Sequence, residues 1–273
     1  MPVAVHPTAV VHPKAQLDPS VEIGPYSIIE QFVRLGPGCR IGPYVHLTGH
    51  TIVGANNRFH AGCVIGEAPQ DLKYKEEATG LVIGDNNVFR EHVTVHRSNK
   101  ISEPTTMGSN NFLMAHSHVG HNARIGDHVV LANGALLGGH VDIGDRAFIS
   151  GNCLVHQFVR VGTLALMQGG SAVSKDLPPF TVGHDNNLIC GLNIVGLRRA
   201  GATGEQRLEL KQLYHILFRR RTGLKAALED AAARFASVLA RAMIEFVATS
   251  KRGVCVDLAS LKGAGLPQDP QAS

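Results

Sequence analysis

The chain has 273 residues, 44% hydrophobic and 18% charged, which suits one or two domains with a real core and excludes disordered and fibrous classes. Its net charge of +4 allows an acidic partner without demanding one. No apolar run reaches the roughly 18 residues of a membrane-spanning helix, and MPVAVHPTAV lacks the regions of a secretory signal.

The five cysteines are odd in number, scattered and without a CxxC pair, so reduced thiols in a cytoplasmic protein are expected. Three further counts are unusual: 30 Gly, 15 His and no Trp. A core without Trp must be built from aliphatic residues.

From Val5 to Val173 every sixth residue is aliphatic, Phe or Met, except Asp71 and Glu77. The next position is often Gly, as at Gly24, Gly42, Gly120 and Gly138. The fifth is small or β-branched, as at Ala15, Val21, Ser27 and Cys39. A period of six fits neither a helix nor an alternating strand. It fits a short strand plus a turn, with the apolar slot inward, the small residue at a tight corner, and Gly adopting backbone conformations closed to other residues. Stacked blocks of this kind make a parallel β-helix.

The repeat resembles the hexapeptide family of left-handed parallel β-helices, which implies a mainly β fold with three blocks, 18 residues, per coil. About ten coils, at roughly 4.8 Å each, then make a prism about 45 Å long. Residues 1–189 are read as this domain. Segments 68–81 and 99–106 interrupt it as loops, the second with Ile101 still in phase; loops on a rigid scaffold often carry function.

Residues 190–273 read as a helical domain closing one end of the solenoid. Residues 205–221 carry Leu210, Leu213 and Leu217 at helical spacing, with Gly223 as the expected C-cap. Residues 224–250 read as one longer amphipathic helix and 254–261 as a short turn. The tail GAGLPQDPQAS is expected to be disordered.

With 18 residues per coil, His121, Gly139 and Gln157 share one column. His140 lies in the next, above Asn122, and His156 precedes Gln157. Singly, an outward His on a solenoid is an ordinary solvated residue; the shared column singles out His121. The missing side chain of Gly139 leaves a gap that its own N–H is expected to face. Such a gap suits acyl transfer from a thioester to a hydroxyl. A neutral imidazole takes the hydroxyl proton, worth about 10²–10⁴-fold, and the N–H stabilises the oxyanion, worth about 10²–10³. No Ser or Cys nucleophile with a His–Asp partner is evident in the cluster, so direct attack is the simpler course.

Several stretches carry a closer resemblance: GEAPQDLKY (66–74), TVHR (94–97), NFLMAHSHVGHN (111–122), LANGALLGGH (131–140), VHQFVRVG (155–162), SKDLPPF (174–180) and GLNIVGLRRAG (191–201). Together they are similar to the UDP-N-acetylglucosamine O-acyltransferases of lipid A synthesis over nearly the whole chain. The resemblance implies transfer of an R-3-hydroxyacyl chain from acyl carrier protein to the 3-hydroxyl of UDP-N-acetylglucosamine. It implies a homotrimer with clefts between subunits and no cofactor, acyl carrier protein bringing the acyl group.

Residue by residue, the resemblance makes His121 the general base and Gly139 the oxyanion donor. Asp71, Lys73 and His118, with Gln70 beside them, fall on sugar- and phosphate-contacting positions. His140, His156 and Gln157 fall on cleft positions, and Asn193 and Arg199 on nucleotide contacts from a neighbouring subunit. Gly169 falls on the position that limits acyl length. Three departures accompany it: Asn122 stands where members often have Asp, Val195 where some have Glu, and one residue is missing near 184–190. An Asp would stabilise an imidazolium by charge, whereas Asn only orients the ring.

Other readings differ in class. The related N-acyltransferases of the same pathway usually carry an extra N-terminal domain, whereas the repeat here starts at Val5. A 3-amino acceptor is the close variant. His116 and His121 have the spacing of ligands in β-helical zinc lyases, but the third ligand expected near position 80 is Gly80. A non-catalytic scaffold leaves the His/Gln column and the QDLKY loop without a purpose. Nucleic acid is not expected as a partner, there being no basic stripe with an aromatic platform, and no integral membrane contact is expected.

Overall fold

The computed structural model describes residues 4–220 and 223–262. Short strands, most of two residues, alternate with turns and sort into three sheets of 12, 9 and 8 strands; pairing is parallel and joins each strand to the third one along the chain, save at one end of the largest sheet, where Thr181–His184 pairs antiparallel with Leu188–Leu192. The register is 18 residues in the regular coils, as where Leu136 pairs with Leu154 and Leu154 with Ala172. Each coil is a triangle with one strand per side.

The expected inward and outward positions are in place. The apolar slots fill the prism, with Ile29, Leu47, Ile65, Leu113, Leu131 and Ile149 no more than 1% exposed. The small fifth residues lie buried at the corners, as at Val21, Ser27 and Cys39. Phe59 and Phe89 stack inside with ring centroids 4.6 Å apart, so the prism admits Phe.

The repeat glycines serve a purpose other than the one expected. Most keep ordinary negative φ; a Cβ on Gly42 would stand 2.7 Å from the Phe59 carbonyl, and one on Gly120 2.7 Å from the Gly138 carbonyl carbon. Gly is required there because successive coils approach too closely for a side chain. The left-handed φ falls two positions further on, often on Asn or His, as at Asn122 (57°), His140 (59°) and Asn152 (54°).

Two excursions leave the coil, each ending two residues short of the expected 81 and 106, since Gly80, Leu81, Thr105 and Thr106 already belong to strands. Val53 pairs with Ile83, 30 residues on, and Ile83 with Met107, 24 on. The excursions add twelve and six residues, whole multiples of the period, so the phase survives them. Ile101 is therefore in phase by arithmetic only; it is 69% exposed, outside the prism.

The helical part differs in detail from expectation. Helix α1 spans Ile194–Arg199 and α2 Gly204–Tyr214, opened by a Thr203/Gln206 capping box. A π-helical turn, His215–Arg219, follows and buries Ile216, Leu217 and Phe218. Gly223 caps the start of the next helix rather than the end of this one. The single helix expected over 224–250 is two, α3 (Leu224–Arg234) and α4 (Val238–Ala248), because Phe235 is extended and Ser237 caps the Ala240 N–H. The segment expected as a turn holds a strand, Val256–Asp257, and α5, Leu258–Lys262. The tail expected to be disordered lies outside the described residues.

Arg160 bolts the helices to the last coils. Its guanidinium pairs with buried Asp176 at 2.8 Å, donates to the Phe246 carbonyl at 2.8 Å and lies over the Phe246 ring. No helix among the described residues is long and apolar enough to cross a membrane.

Candidate active site

A cleft of about 670 Å³ runs along one corner of the prism. Gln70, His118, His121, Gly139, His156 and Gln157 all line it. Register places them: His118 pairs with Leu136, which pairs with Leu154, which pairs with Ala172. These outward strand residues form an apolar floor beside the polar corner.

His121 is held by Asn122. The Asn122 Oδ1 accepts the Asn99 backbone N–H at 3.0 Å, and Asn122 Nδ2 donates to the Glu103 carbonyl at 3.1 Å. A backbone N–H can only donate and a carbonyl only accept, so the amide orientation is fixed. Its Oδ1 is 2.8 Å from His121 Nδ1. His121 Nδ1 must then carry a proton, and in the neutral ring Nε2 is left as the base.

That Nε2 lies over Gly139. A Cβ on Gly139 would stand 2.7 Å from it, so only Gly lets the ring sit there. The neighbouring residues Gly138 and His140 give their N–H groups to Val155 and His121 carbonyls. The Gly139 N–H has no partner among the described residues and is free to meet a ligand.

The surrounding histidines are held neutral. Burial, reinforced by repulsion from His118, pushes His96 down to about 4. Burial first, then repulsion from His121, lowers His118 and His140 from their ordinary range. His118 Nδ1 is 2.7 Å from Thr94 Oγ1. His140 lies edge-on to His121, ring centroids 5.1 Å apart, and stacks on Phe158.

The 68–81 loop folds back toward this corner. Arg97 donates to the Gly66 carbonyl at 2.8 Å and to the Tyr74 hydroxyl at 3.3 Å, anchoring it. Asp71 accepts the Lys73 backbone N–H at 3.0 Å and the Asn99 side-chain amide at 2.8 Å; these bonds, the backbone one foremost, hold its carboxyl below the usual range.

Other expected residues lie off the cleft of the single chain. Asp71, Lys73, His140, Asn193, Arg199 and Gly169 are all outside its lining, although His140 touches His121 edge-on. Asn193 caps α1, its Oδ1 accepting the Gly196 N–H at 2.9 Å and its amide donating to the Leu164 carbonyl. Arg199 and Val195 are exposed on α1. Gly169 keeps an ordinary φ, and a Cβ there would meet only the Gly151 carbonyl at 3.6 Å, so the fold itself does not require Gly. His116 stacks on His92 in a different corner column. Among the described residues no group of three or more His, Cys, Asp or Glu could hold a metal.

Asn99 and the apolar floor were not among the residues expected at the site. Leu136, Leu154 and Ala172 are 18 apart, a spacing already in use for the polar column. Nothing in the sequence placed Asn99 between Asp71 and Asn122.

Residues 176–255 match the family described as Udp N-acetylglucosamine O-acyltransferase, domain 2, and 32–67 and 104–139 match the bacterial transferase hexapeptide family. The chain is 43% identical to an acyl-[acyl-carrier-protein]–UDP-N-acetylglucosamine O-acyltransferase of Syntrophobacter fumaroxidans and 44% to one of Myxococcus xanthus, each covering 92% of this chain and 98% of the relative. Among solved structures, the UDP-N-acetylglucosamine acyltransferase from Campylobacter jejuni superposes with a TM-score of 0.87 at 32% identity, covering 92% of this chain and 99% of that one. An Arabidopsis UDP-N-acetylglucosamine acyltransferase does so at 0.82 and 33%, with the same coverage. The prism is therefore a left-handed parallel β-helix of hexapeptide repeats.

Proposed function

Because this chain belongs to the UDP-N-acetylglucosamine O-acyltransferase family, we propose that its corner cleft performs acyl transfer with His121 as general base and Gly139 as oxyanion donor. The overall activity is that of the family: acyl carrier protein delivers an acyl chain to UDP-N-acetylglucosamine, the first step of lipid A biosynthesis. The transferred group is an R-3-hydroxyacyl chain and the acceptor is the glucosamine 3-hydroxyl.

The 3-hydroxyl oxygen attacks the thioester carbonyl while His121 Nε2 takes its proton. The carbonyl oxygen becomes an oxyanion and accepts the free Gly139 N–H. When the tetrahedral intermediate collapses, the C–S bond breaks, and the imidazolium returns the proton to the leaving thiolate. The observation that carries this reading is the pairing of a base nitrogen with an unused N–H at one glycine. Neutral His96, His118 and His140 suit the site, because added cations beside His121 would oppose its taking a proton.

Gln70, Asp71, Lys73 and His118 hold the sugar and its phosphates. His140, His156 and Gln157 shape the cleft, and the floor of Leu136, Leu154 and Ala172 takes the acyl chain. Asn193, Arg199 and Gly169 lie off the single-chain cleft, which supports a homotrimer in which a neighbouring subunit completes each site. The protein works in the cytoplasm, where acyl carrier protein and nucleotide sugars are made. The test incubates purified protein with UDP-N-acetylglucosamine and 3-hydroxyacyl carrier proteins of several chain lengths. Acylation of the sugar oxygen from at least one donor is expected; no acylated sugar from any donor, or acylation only of a 3-amino analogue, overturns the reading.

A further inference from the structure

One residue outside the expected site touches both halves of it. Asn99 opens the second excursion. Its side-chain Nδ2 donates to Asp71 Oδ2 at 2.8 Å, and its backbone N–H donates to Asn122 Oδ1 at 3.0 Å. Asn122 Oδ1 in turn accepts from His121 Nδ1 at 2.8 Å. Three residues far apart in sequence thus form one chain of hydrogen bonds from the first excursion to the base.

The side chain of Asn99 bears a cost in this arrangement. Its Oδ1 is buried without a partner, where an unsatisfied acceptor is unfavourable. Flipping the amide would set that oxygen against the Asp71 carboxylate, so the contact with Asp71 fixes the orientation. A residue serving only to fill space would not need an amide in this pose.

We infer that Asn99 is a positioning residue that couples the Asp71 loop to the orientation of the His121 ring. Asp71 draws Asn99 into place; the Asn99 N–H then holds the Asn122 oxygen toward Nδ1 and keeps Nε2 as the acceptor. This rests on the acyltransferase reading above.

The test combines kinetics with ring ¹⁵N NMR of His121, on wild type, Asn99→Ala, Asn99→Asp, Asp71→Ala and the double variant Asp71→Ala/Asn99→Ala. Asn99→Ala should lower kcat/KM for UDP-N-acetylglucosamine about tenfold and add nothing in the Asp71→Ala background. Asn99→Asp has the same shape but faces Asp71 with a second carboxylate, so it should cost more than Ala. The NMR should show an Nδ1-protonated ring in the wild type and a tautomer mixture in Asn99→Asp. Losses that multiply in the double variant, or an Asn99→Asp enzyme as good as wild type, overturn the inference. Should the wild type acylate no sugar, the acyltransferase reading falls and the NMR alone decides; an unchanged tautomer in Asn99→Asp then refutes the coupling.

Discussion

His121 and Gly139 form a single device at the residue scale, since the ring occupies the volume a Cβ would take. Gly139→Ala should therefore act through His121. Its kcat should fall at least about 100-fold while its melting temperature stays close to wild type, checked by steady-state kinetics beside calorimetry. His121→Ala should lose about 10²–10⁴ in kcat with little change in KM for the nucleotide sugar; near-normal turnover would move the base elsewhere, with His118 next in line. The buried histidines add a pH dependence of stability. His96 titrates near 4 in the fold and near 6.5 unfolded, so between those values the unfolded chain binds the extra proton. Stability is full above about 6.5 and is lost as pH falls toward 4, by on the order of 3 kcal/mol. Urea midpoints measured from pH 7 to 5 should fall, and less steeply in His96→Gln.

Elements in the prism were legible because period, corner and slot all follow from one repeated physical demand. Each two-residue strand buries one side chain and each corner admits only a small one. The helical elements were less legible. The 224–250 stretch keeps an apolar face through residues 235–237, so periodicity alone cannot see that Phe235 turns extended and Ser237 restarts the helix. Arg160 likewise stands at an outward strand position that the repeat leaves open to any residue, yet it joins Asp176, Phe246 and Thr249. Arg160→Ala would leave Asp176, 1% exposed, without its cation. A loss of about 3–5 kcal/mol is expected, seen as earlier unfolding of the helical cap in hydrogen exchange.

The whole molecule makes a prediction that no single chain can test. With Arg199 and Asn193 off the cleft that holds His121, the proposed trimer shares its sites. Mixing inactive His121→Ala subunits with inactive Arg199→Ala subunits should then restore activity, because hybrid trimers contain sites built from two intact halves. Activity that stays absent after subunit exchange, verified by mass spectrometry of the hybrids, would place both residues in one chain's site.

The β-helix, the two excursions and the His121–Gly139–Gln157 column can all be read from spacing, because a fixed repeat converts distance along the chain directly into neighbours in space. That column already suited acyl transfer, and resemblance to a family then named the donor and the acceptor. Which nitrogen of His121 is the base, why the repeat glycines are glycines, and the link from Asp71 through Asn99 to Asn122 emerge only in the folded chain. Those depend on how two irregular excursions fold back on the prism and how closely its coils approach, distances that no local pattern encodes.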